Sequence, residues 1–439
     1  MRRINLEKCP QVELPLDQIY LSDDNPKFHP ERQLAMLEAS FRRFRHMSPV
    51  LVSKDGEVIA GHARVIVARR MGLSSVPAIV LPHLNEAERQ AYRIADNAVA
   101  EKGEWSIELL TSQLELLTSV DLGFDAIEIG FETGEIDKLI LGARAEPIGT
   151  PEAVEPNRNL PATSRPGDIF DIAGHIVACG DSKDPATFSA ALKERKAQAV
   201  ISDQPWNLPA RFISGKGRIR HPDFVECAGE MSPAAFEAFT NIVLANQAAH
   251  CAPGALMFQF IDWRSVDVMI AAGKKQVGEL VNICAWVKQS GGMGSPWRSQ
   301  HELVCVFRAP GGKSRDNVKL GVYGRNRTNV WRYDAPSAFG SQRDKLKLHP
   351  TCKNPEMIAD AILDCTDRGG LVLDAFLGSG TTILAAHQTG RVGVGLELDP
   401  HYVDLAVSRI AEATGEEPTH QSGKTFSALA EERSSGLEG

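Results

Sequence analysis

A chain of 439 residues is longer than one hydrophobic core usually organises, since domains hold roughly 100 to 200 residues, so two folded units are expected. Hydrophobic residues at 43% and charged residues at 24% are the balance of a globular chain that can bury a core, which excludes general disorder. The net charge of -8 argues against a nucleic-acid partner only as a total, because Lys288 to Lys353 holds 13 Lys or Arg against 4 Asp or Glu, a local +9. Phosphates respond to charge within about a Debye length, roughly 10 Å at 0.1 M salt, although a basic face that merely meets water is the plainer reading of such a block.

Taken from its start, "MRRINLEKCPQVELPL" lacks the apolar centre of a signal peptide, and no run of 18 apolar residues occurs anywhere. Export and a membrane partner are therefore excluded, and a cytoplasmic location is expected. The stretch "PVLVSKDGEVIAGHARVIVARRMGL" reads as a strand, a hairpin turn at Asp55-Gly56, a second strand and a helix beginning near Ala63. Gly61, His62 and Arg64 stand at the strand-to-helix turn, where a helix N-terminus can hold a phosphate. A hairpin whose basic helix helps clamp DNA fits the same residues. A longer helical pattern starts at Asn85, in "NEAERQAYRIADNAVA", which makes the first half a mixed α+β unit.

Pro147, Pro151, Pro156, Pro161 and Pro166 then mark an extended linker over 146–165, dividing residues 1–145 from 166–415. Past it, "QAVIS", "GALMFQF", "LVLDAF" and "RVGVGLEL" are near-continuously apolar, as parallel strands covered on both faces must be. Ser232-Pro233 and Asn354-Pro355 each set a capping side chain before a proline at the first helical position. Strands alternating with helices point to a doubly wound α/β sheet. The eight cysteines include no CxxC pair, so they read as buried thiols, with no metal site and no disulfide framework. The polar run 416–439 is expected to be a flexible tail.

Two features of this half carry chemistry. "LVLDAFLGSGTTILAAHQTG" sets Asp374, then Gly378, Ser379 and Gly380, between a strand and a helix, so the backbone can approach a ligand at a helix N-terminus. A phosphate-cradling loop would need a lysine here, and the dinucleotide fingerprint would need a glycine where Ile383 stands. Glu397, 19 residues beyond Gly378, ends the next strand where an acid can meet ribose hydroxyls. A cofactor with a ribose and no phosphates suits the pair, and S-adenosylmethionine is such a molecule. The second feature is "AVISDQPWNLPA", a buried-type strand running straight into Asp203, Gln204, Pro205 and Trp206.

With both features in view, residues 166–415 resemble the DNA amino-methyltransferases that act on N-6 of adenine or N-4 of cytosine. The family's catalytic tetrad is Asp, Asn or Ser, then Pro-Pro, then an aromatic; "DQPW" matches three positions, with Gln204 the departure. "DAFLGSGTT" is similar to the family's cofactor loop, which implies cofactor roles for Asp374, Phe376, Gly378, Ser379, Gly380, Thr381 and Thr382 beside Glu397. "HPTCKNPEMIADAIL" is similar to the segment before that loop, so Thr351 and Lys353 resemble residues near the methionine end, and Asp181 in "CGDS" resembles a further cofactor-side position. The tetrad precedes the cofactor loop, as in the family's permuted β-type class, which keeps its target-recognition region between the two, here about 207–348. That interval includes "WVKQSGGMGSPWRSQHE" and "YGRNRTNVWRYD", whose Lys288, Trp297, Arg298, Arg325, Arg327 and Arg332 are candidates for contacting DNA.

The implied fold is a Rossmann-like methyltransferase sheet, and the implied reaction explains the strand end. An exocyclic amine is a poor nucleophile because its lone pair is delocalised into the base. Asp203 would supply one hydrogen-bond acceptor, a carbonyl of Gln204 or Pro205 the other, and Trp206 an aromatic face for a base taken out of the double-stranded DNA. Asp at the head of the tetrad leans towards adenine, with N-4 cytosine the alternative. "VIAGHARVIVARRMG" resembles the N-terminal domain of ParB-type partition proteins, although His62-Ala63 replaces an arginine pair common there. A non-enzymatic ParB-like DNA-binding adaptor with a degenerate methyltransferase fold is the rival of another class. The resemblance leaves open a homodimer and a partner restriction nuclease.

Overall fold

The computed structural model describes residues 9–118, 122, 124–143, 156–208, 229–289, 291, 297–319, 327–334 and 353–435. They form two compact units that divide after Ala143. Among the described residues no helix is long and apolar enough to cross a membrane.

The first unit is built on four strands in the order β1-β4-β2-β3, where β1 is Gln11–Pro15, β2 Val50–Val52, β3 Val58–Ala60 and β4 Ser75–Val80. Helices α1 (Glu31–Phe44), α2 (His62–Arg70), α3 (Glu86–Ala100), α4 (Ile107–Leu117) and α5 (Thr133–Ala143) complete it. The hairpin expected at Asp55-Gly56 joins β2 to β3 antiparallel. Gly56 has φ +88°, and a Cβ there would lie 2.1 Å from the Gln18 carbonyl oxygen, so only glycine fits the turn. Asn85 and Glu88 form a capping box that starts α3 where the pattern placed it. Val50, Val52, Val58, Val65, Ala68 and Val76 make the sheet's core.

The second unit is a ten-stranded sheet, ordered β11-β9-β10-β8-β7-β12-β13-β6-β5-β14. In chain order its elements are β5 (Ile169–Ile172), β6 (His175–Cys179), α6 (Pro185–Leu192), β7 (Ala197–Ser202), α7 (Pro233–Ala249), β8 (Cys251–Ile261), α8 (Val266–Gln276), β9 (Glu279–Val287), β10 (His301–Arg308) and β11 (Val330–Arg332). Then come α9 (Pro355–Cys365), β12 (Leu371–Asp374), α10 (Thr381–Gln388), β13 (Val392–Glu397), α11 (Pro400–Thr414), β14 (Thr419–His420) and α12 (Phe426–Ser435). The central strands β8, β7, β12, β13 and β6 are parallel, as the unbroken apolar runs require, while β10 and β5 run antiparallel at the flanks. Alternate residues serve opposite faces: Val200 and Leu373 pack with Phe236, Phe239 and Leu244 of α7, whereas Ala199, Ile201 and Val372 pack with Met357, Ile358 and Ile362 of α9. Ser232 and Asn354 cap α7 and α9 as their pairing with proline implies.

Three boundaries differ from the expectation. The described part of 207–348 is largely not an appended region, since α7, β8, α8, β9 and β10 are integral to the sheet and its covering layer. Residues 158–164, assigned to the linker, pack on the second unit: Arg158 pairs with Asp399 at 2.5 Å, and the Thr163 and Ser164 amides donate to the Asp404 carboxylate at 2.6 and 2.9 Å. The tail up to Ser435 is ordered, because two apolar side chains in a polar segment suffice to dock it. β14 pairs antiparallel with β5, Phe426 meets Phe170 edge-on at 5.5 Å, and Leu429 is buried. Asp168 ties the ends together, accepting from His420 at 3.2 Å and pairing with Arg433.

Leu429→Ala is expected to cost about 2 to 4 kcal/mol and lower the melting temperature by several degrees. A thermal melt that coincides with the wild type would restore the frayed-tail reading.

Candidate active site

Three neighbouring strands deliver three acids to one edge. Asp203 follows the last residue of β7, Asp374 ends β12 and Glu397 ends β13, and these strands are parallel neighbours. Adjacent strands lie about 4.8 Å apart, so the loops leaving their carboxyl ends share a crevice. β6 runs parallel to β13 and ends at Cys179, which puts Asp181 on the same edge.

The glycine loop is held shut at its base by two of those acids. Phe376 N–H donates to Asp374 Oδ1 at 2.9 Å, and Thr382 Oγ1 donates to Oδ2 at 2.6 Å. Gly378 N–H donates to Glu397 Oε2 at 2.8 Å, and Asp399 N–H to Oε1 at 2.9 Å. Glu397 thus braces the loop in this form. Gly378 and Gly380 have φ +54° and +91°; α10 starts at Thr381 with no side-chain cap, and a Cβ on Gly378 would meet nothing within 4 Å. The backbone there is open to an approaching molecule. Ser379 is engaged by Arg409, whose Nη1 donates to its carbonyl at 2.6 Å and its hydroxyl at 3.0 Å. Burial pushes the Asp374 carboxyl up to about 7, against the pull of its two donors and with added repulsion from Asp203 and Glu397. Burial also raises Glu397, so this edge carries more acid than it can comfortably ionise.

The tetrad turn lies beside it. Asp203 Oδ2 is 2.9 Å from Lys353 Nζ, and Lys353 Nζ is 2.8 Å from Glu302 Oε2. Lys288 Nζ reaches Glu302 Oε1 at 2.5 Å. Burial raises Asp203 and opposes the charge on Lys353, yet the two carboxylates hold Lys353 above the ordinary lysine range. Burial likewise works against Glu302, but Lys353 and Lys288 hold it below the usual carboxylate range. The Lys353 ammonium lies 5.2 Å from the Trp206 ring centroid, 5.0 Å from Phe260 and 5.6 Å from Trp286, inside an aromatic cage. Asp203 Oδ1 and Trp206 Nε1 are buried and find no hydrogen-bond partner among the described residues.

Behind the turn runs a buried polar network. Gln204, in place of the usual proline, donates from Nε2 to Thr240 Oγ1 of α7 at 3.1 Å. Gln247 Nε2 donates to Ser202 Oγ at 3.0 Å, and Gln259 Nε2 to Gln247 Oε1 at 2.8 Å. After Trp206, Asn207 takes the left-handed conformation at φ 54°, a geometry asparagine tolerates, and its amide bonds both the carbonyl and the N–H of Met231 at 2.9 and 3.2 Å.

Several expectations change. Lys353, placed by resemblance near a methionine end, contacts the tetrad acid; Thr351 lies outside the described residues, as does Arg325. Trp206 is no open platform, because Lys353 and the surrounding core cover its indole. Lys288 is drawn onto Glu302, and Arg327 onto Asp360 and Asp364, with Tyr333 accepting from it at 2.7 Å. Those two cations are spent internally. Trp297, 89% exposed, Arg298 and Arg332 remain on the surface. In the first unit, Arg64 turns back onto the Ser48 and Pro49 carbonyls at 3.1 and 2.5 Å. Burial, then Arg93, brings His62 down to about 4, so it is neutral at ordinary pH. The Arg64 guanidinium lies against Gly61, which caps α2 at φ +99°. Glu302, Phe260 and Trp286 were not singled out; the one signal was an acid inside the apolar run "HELVCVF".

Residues 197–408 match the family model for N6/N4 enzymes described as "DNA methylase". The Type II methyltransferase M.ScaI of Streptomyces caespitosus is 37% identical over 107 residues, 24% of this chain and 35% of that protein, so the match spans about a third of that relative. The ParB-like nuclease domain-containing protein YnaK of Escherichia coli (strain K12) is 38% identical over 84 residues, 19% of this chain and 97% of that protein. Among solved structures, the M1.HpyAVI-SAM complex aligns with TM-score 0.40 and 19% identity, covering 53% of this chain and 98% of that one.

The raised Asp374 has a testable sign. A carboxyl that ionises near 7 when folded, against 3.8 ordinarily, keeps its proton in the native state, so stability falls as pH rises from about 4 to 7. Asp374→Asn is therefore expected to gain melting temperature relative to the wild type at pH 8 and little at pH 4.5. Equal shifts at both values would show that Asp374 titrates normally.

Proposed function

We propose that the chain methylates DNA, because residues 197–408 match the N6/N4 DNA methylase family model and the N-terminal unit belongs to the ParB-like family. It transfers the methyl group of S-adenosylmethionine to the exocyclic amine of a base taken out of the double helix, and that base is adenine. The observation that carries the reading is that Asp203 and the Gly378 to Gly380 loop follow the carboxyl ends of adjacent parallel strands, β7 and β12.

The residues present fit the cofactor. The open space over Gly378 admits a ligand against the backbone, and Asp374 and Glu397 form an acidic edge that complements a cation. Gly378, Gly380, Phe376, Asp374 and Glu397 would hold it, with Asp181 and Thr382 beside them. When bound, it supplies an electrophilic methyl group on a positively charged sulfur.

The chain's own residues supply the rest. Asp203 accepts a hydrogen bond from the amine through Oδ1, which has no partner among the described residues, and a carbonyl of the Gln204 and Pro205 turn takes the second N–H. Both acceptors favour a tetrahedral nitrogen with its lone pair localised. Asp203 is then the carboxylate at hand for the proton that the methylated nitrogen sheds. Trp206 walls the pocket, Gln204 anchors the turn to α7 and Asn207 fixes where the chain leaves it. Trp297, Arg298 and Arg332 contact the DNA, and the ParB-like unit adds a second grip on it.

Incubation with S-adenosylmethionine and DNA is expected to yield N6-methyladenine by mass spectrometry of the nucleosides; N4-methylcytosine in its place would contradict the choice of base. A charge-assisted hydrogen bond worth about 1.5 to 3 kcal/mol corresponds to roughly 10- to 150-fold in rate. Asp203→Ala is therefore expected to lose at least that factor in kcat while binding cofactor within about threefold of the wild type. Full turnover by this variant would remove the assignment.

A further inference from the structure

Lys288, Glu302, Lys353 and Asp203 alternate in sign along one line of contacts of 2.5, 2.8 and 2.9 Å. The line ends on a carboxylate with one oxygen paired and the other, Oδ1, buried without a partner among the described residues. From these contacts we infer that Lys353 is a positioning residue for the proposed methyl transfer, tying down Oδ2 of Asp203 so that Oδ1 is left as the acceptor for the target amine, with Glu302 acting through Lys353.

A carboxylate pivots about its Cβ–Cγ bond, so holding one oxygen orients the other. The ammonium is itself fixed from several sides. Glu302 and Asp203 accept hydrogen bonds from it, and Trp206, Phe260 and Trp286 surround it with rings that attract a cation yet offer it no competing hydrogen-bond acceptor. Its backbone is pinned next door, where Asn354 caps α9 by accepting from Met357 N–H at 3.1 Å and donates to the Asp334 carbonyl at 2.8 Å. A buried acceptor lacking a donor is costly, and the N–H of an incoming amine relieves that cost.

The charges facing Asp203 are Lys353 ahead of α9, Glu302 of β10, Lys288 just past β9 and Asp374 of β12. Without Lys353 the repulsion from Glu302 outweighs the attraction of Lys288, and Asp203 then retains its proton to higher pH. A protonated oxygen donates where the reaction needs an acceptor.

The inference rests on the methyl-transfer reading, so its test has an arm that needs neither cofactor nor DNA. In the full chain with 13C-labelled aspartate, the Asp203 carboxyl, assigned against Asp203→Asn, is titrated by NMR in the wild type, Lys353→Met and Lys353→Arg. Lys353→Met is expected to raise the midpoint by at least about one pH unit, a roughly tenfold change in proton affinity, while Lys353→Arg stays near the wild type. A midpoint unmoved by Lys353→Met overturns the inference. In turnover, Lys353→Met is expected to lower kcat by about 100-fold, move the acid limb of the pH profile upward and leave both KM values within about threefold, with Lys353→Arg recovering much of the rate. A loss confined to KM overturns it as well. Glu302→Gln, nearly isosteric, loosens the hold on Lys353 while taking a negative charge away from Asp203, so it is expected to lower kcat in smaller measure and to move the Asp203 midpoint down, and it serves if Lys353→Met does not fold; a rate equal to the wild type would count against the inference. A wild type that methylates no DNA removes the proposed function, and the titration still decides the role of Lys353.

Discussion

A carboxylate taken out of water must be paired or it protonates, and the architecture around Asp203 follows from that constraint. Lys353 answers Asp203, Glu302 answers Lys353, and Lys288 answers Glu302 from a half-buried position. The sheet topology makes the line possible. β10 runs antiparallel to β8, so Glu302 near its start lies at the edge where the parallel strands finish. β9 runs antiparallel to β10 in turn, and Lys288 just past its end arrives at that edge too. The flanking strands therefore complete the charge balance of the pocket as well as widening the sheet.

The same edge has a second, opposite electrostatic character a strand or two away. Among the described residues no lysine pairs with Asp374 or Glu397; their ionised forms are supported by backbone N–H groups and a threonine hydroxyl. Burial pushes Asp374 up to about 7, and dipoles of that kind offset it only in part. One side of the crevice thus neutralises its acid, while the other leaves acid in excess where a cation can settle. At the far border of the unit, Asp168 and Asp404 gather the incoming segment and the C-terminal helix onto β5 and α11, so the sheet edge at β5 is covered by β14.

How much of this was legible in the sequence depends on the range of the interaction. The parallel strands, the caps at Ser232 and Asn354, the glycine loop and the acid at 203 are local patterns of spacing and residue type, and each was readable as such. The pairing of Lys353 with Asp203 and Glu302 joins residues 150 and 51 positions apart, and depends on a strand order that no local pattern reveals. The basic block misled for a related reason. Summing charge along the chain counts Arg327 and Arg315 as free, whereas folding places Asp360, Asp364 and Asp367 against them. The tail reads as polar on average, and the average hides Phe426 and Leu429, three residues apart and on one side of a helix.

The account stands on the free oxygen of Asp203 being the one that meets the target amine. A crystal structure of the chain with S-adenosylhomocysteine and a DNA duplex that it methylates tests this directly. The account predicts the exocyclic nitrogen of an extruded adenine within hydrogen-bond reach of Asp203 Oδ1, with Lys353 still on Oδ2 and the cofactor against Gly378. A base lodged away from Asp203, or a cofactor bound elsewhere than the edge formed by β7, β12 and β13, would contradict it.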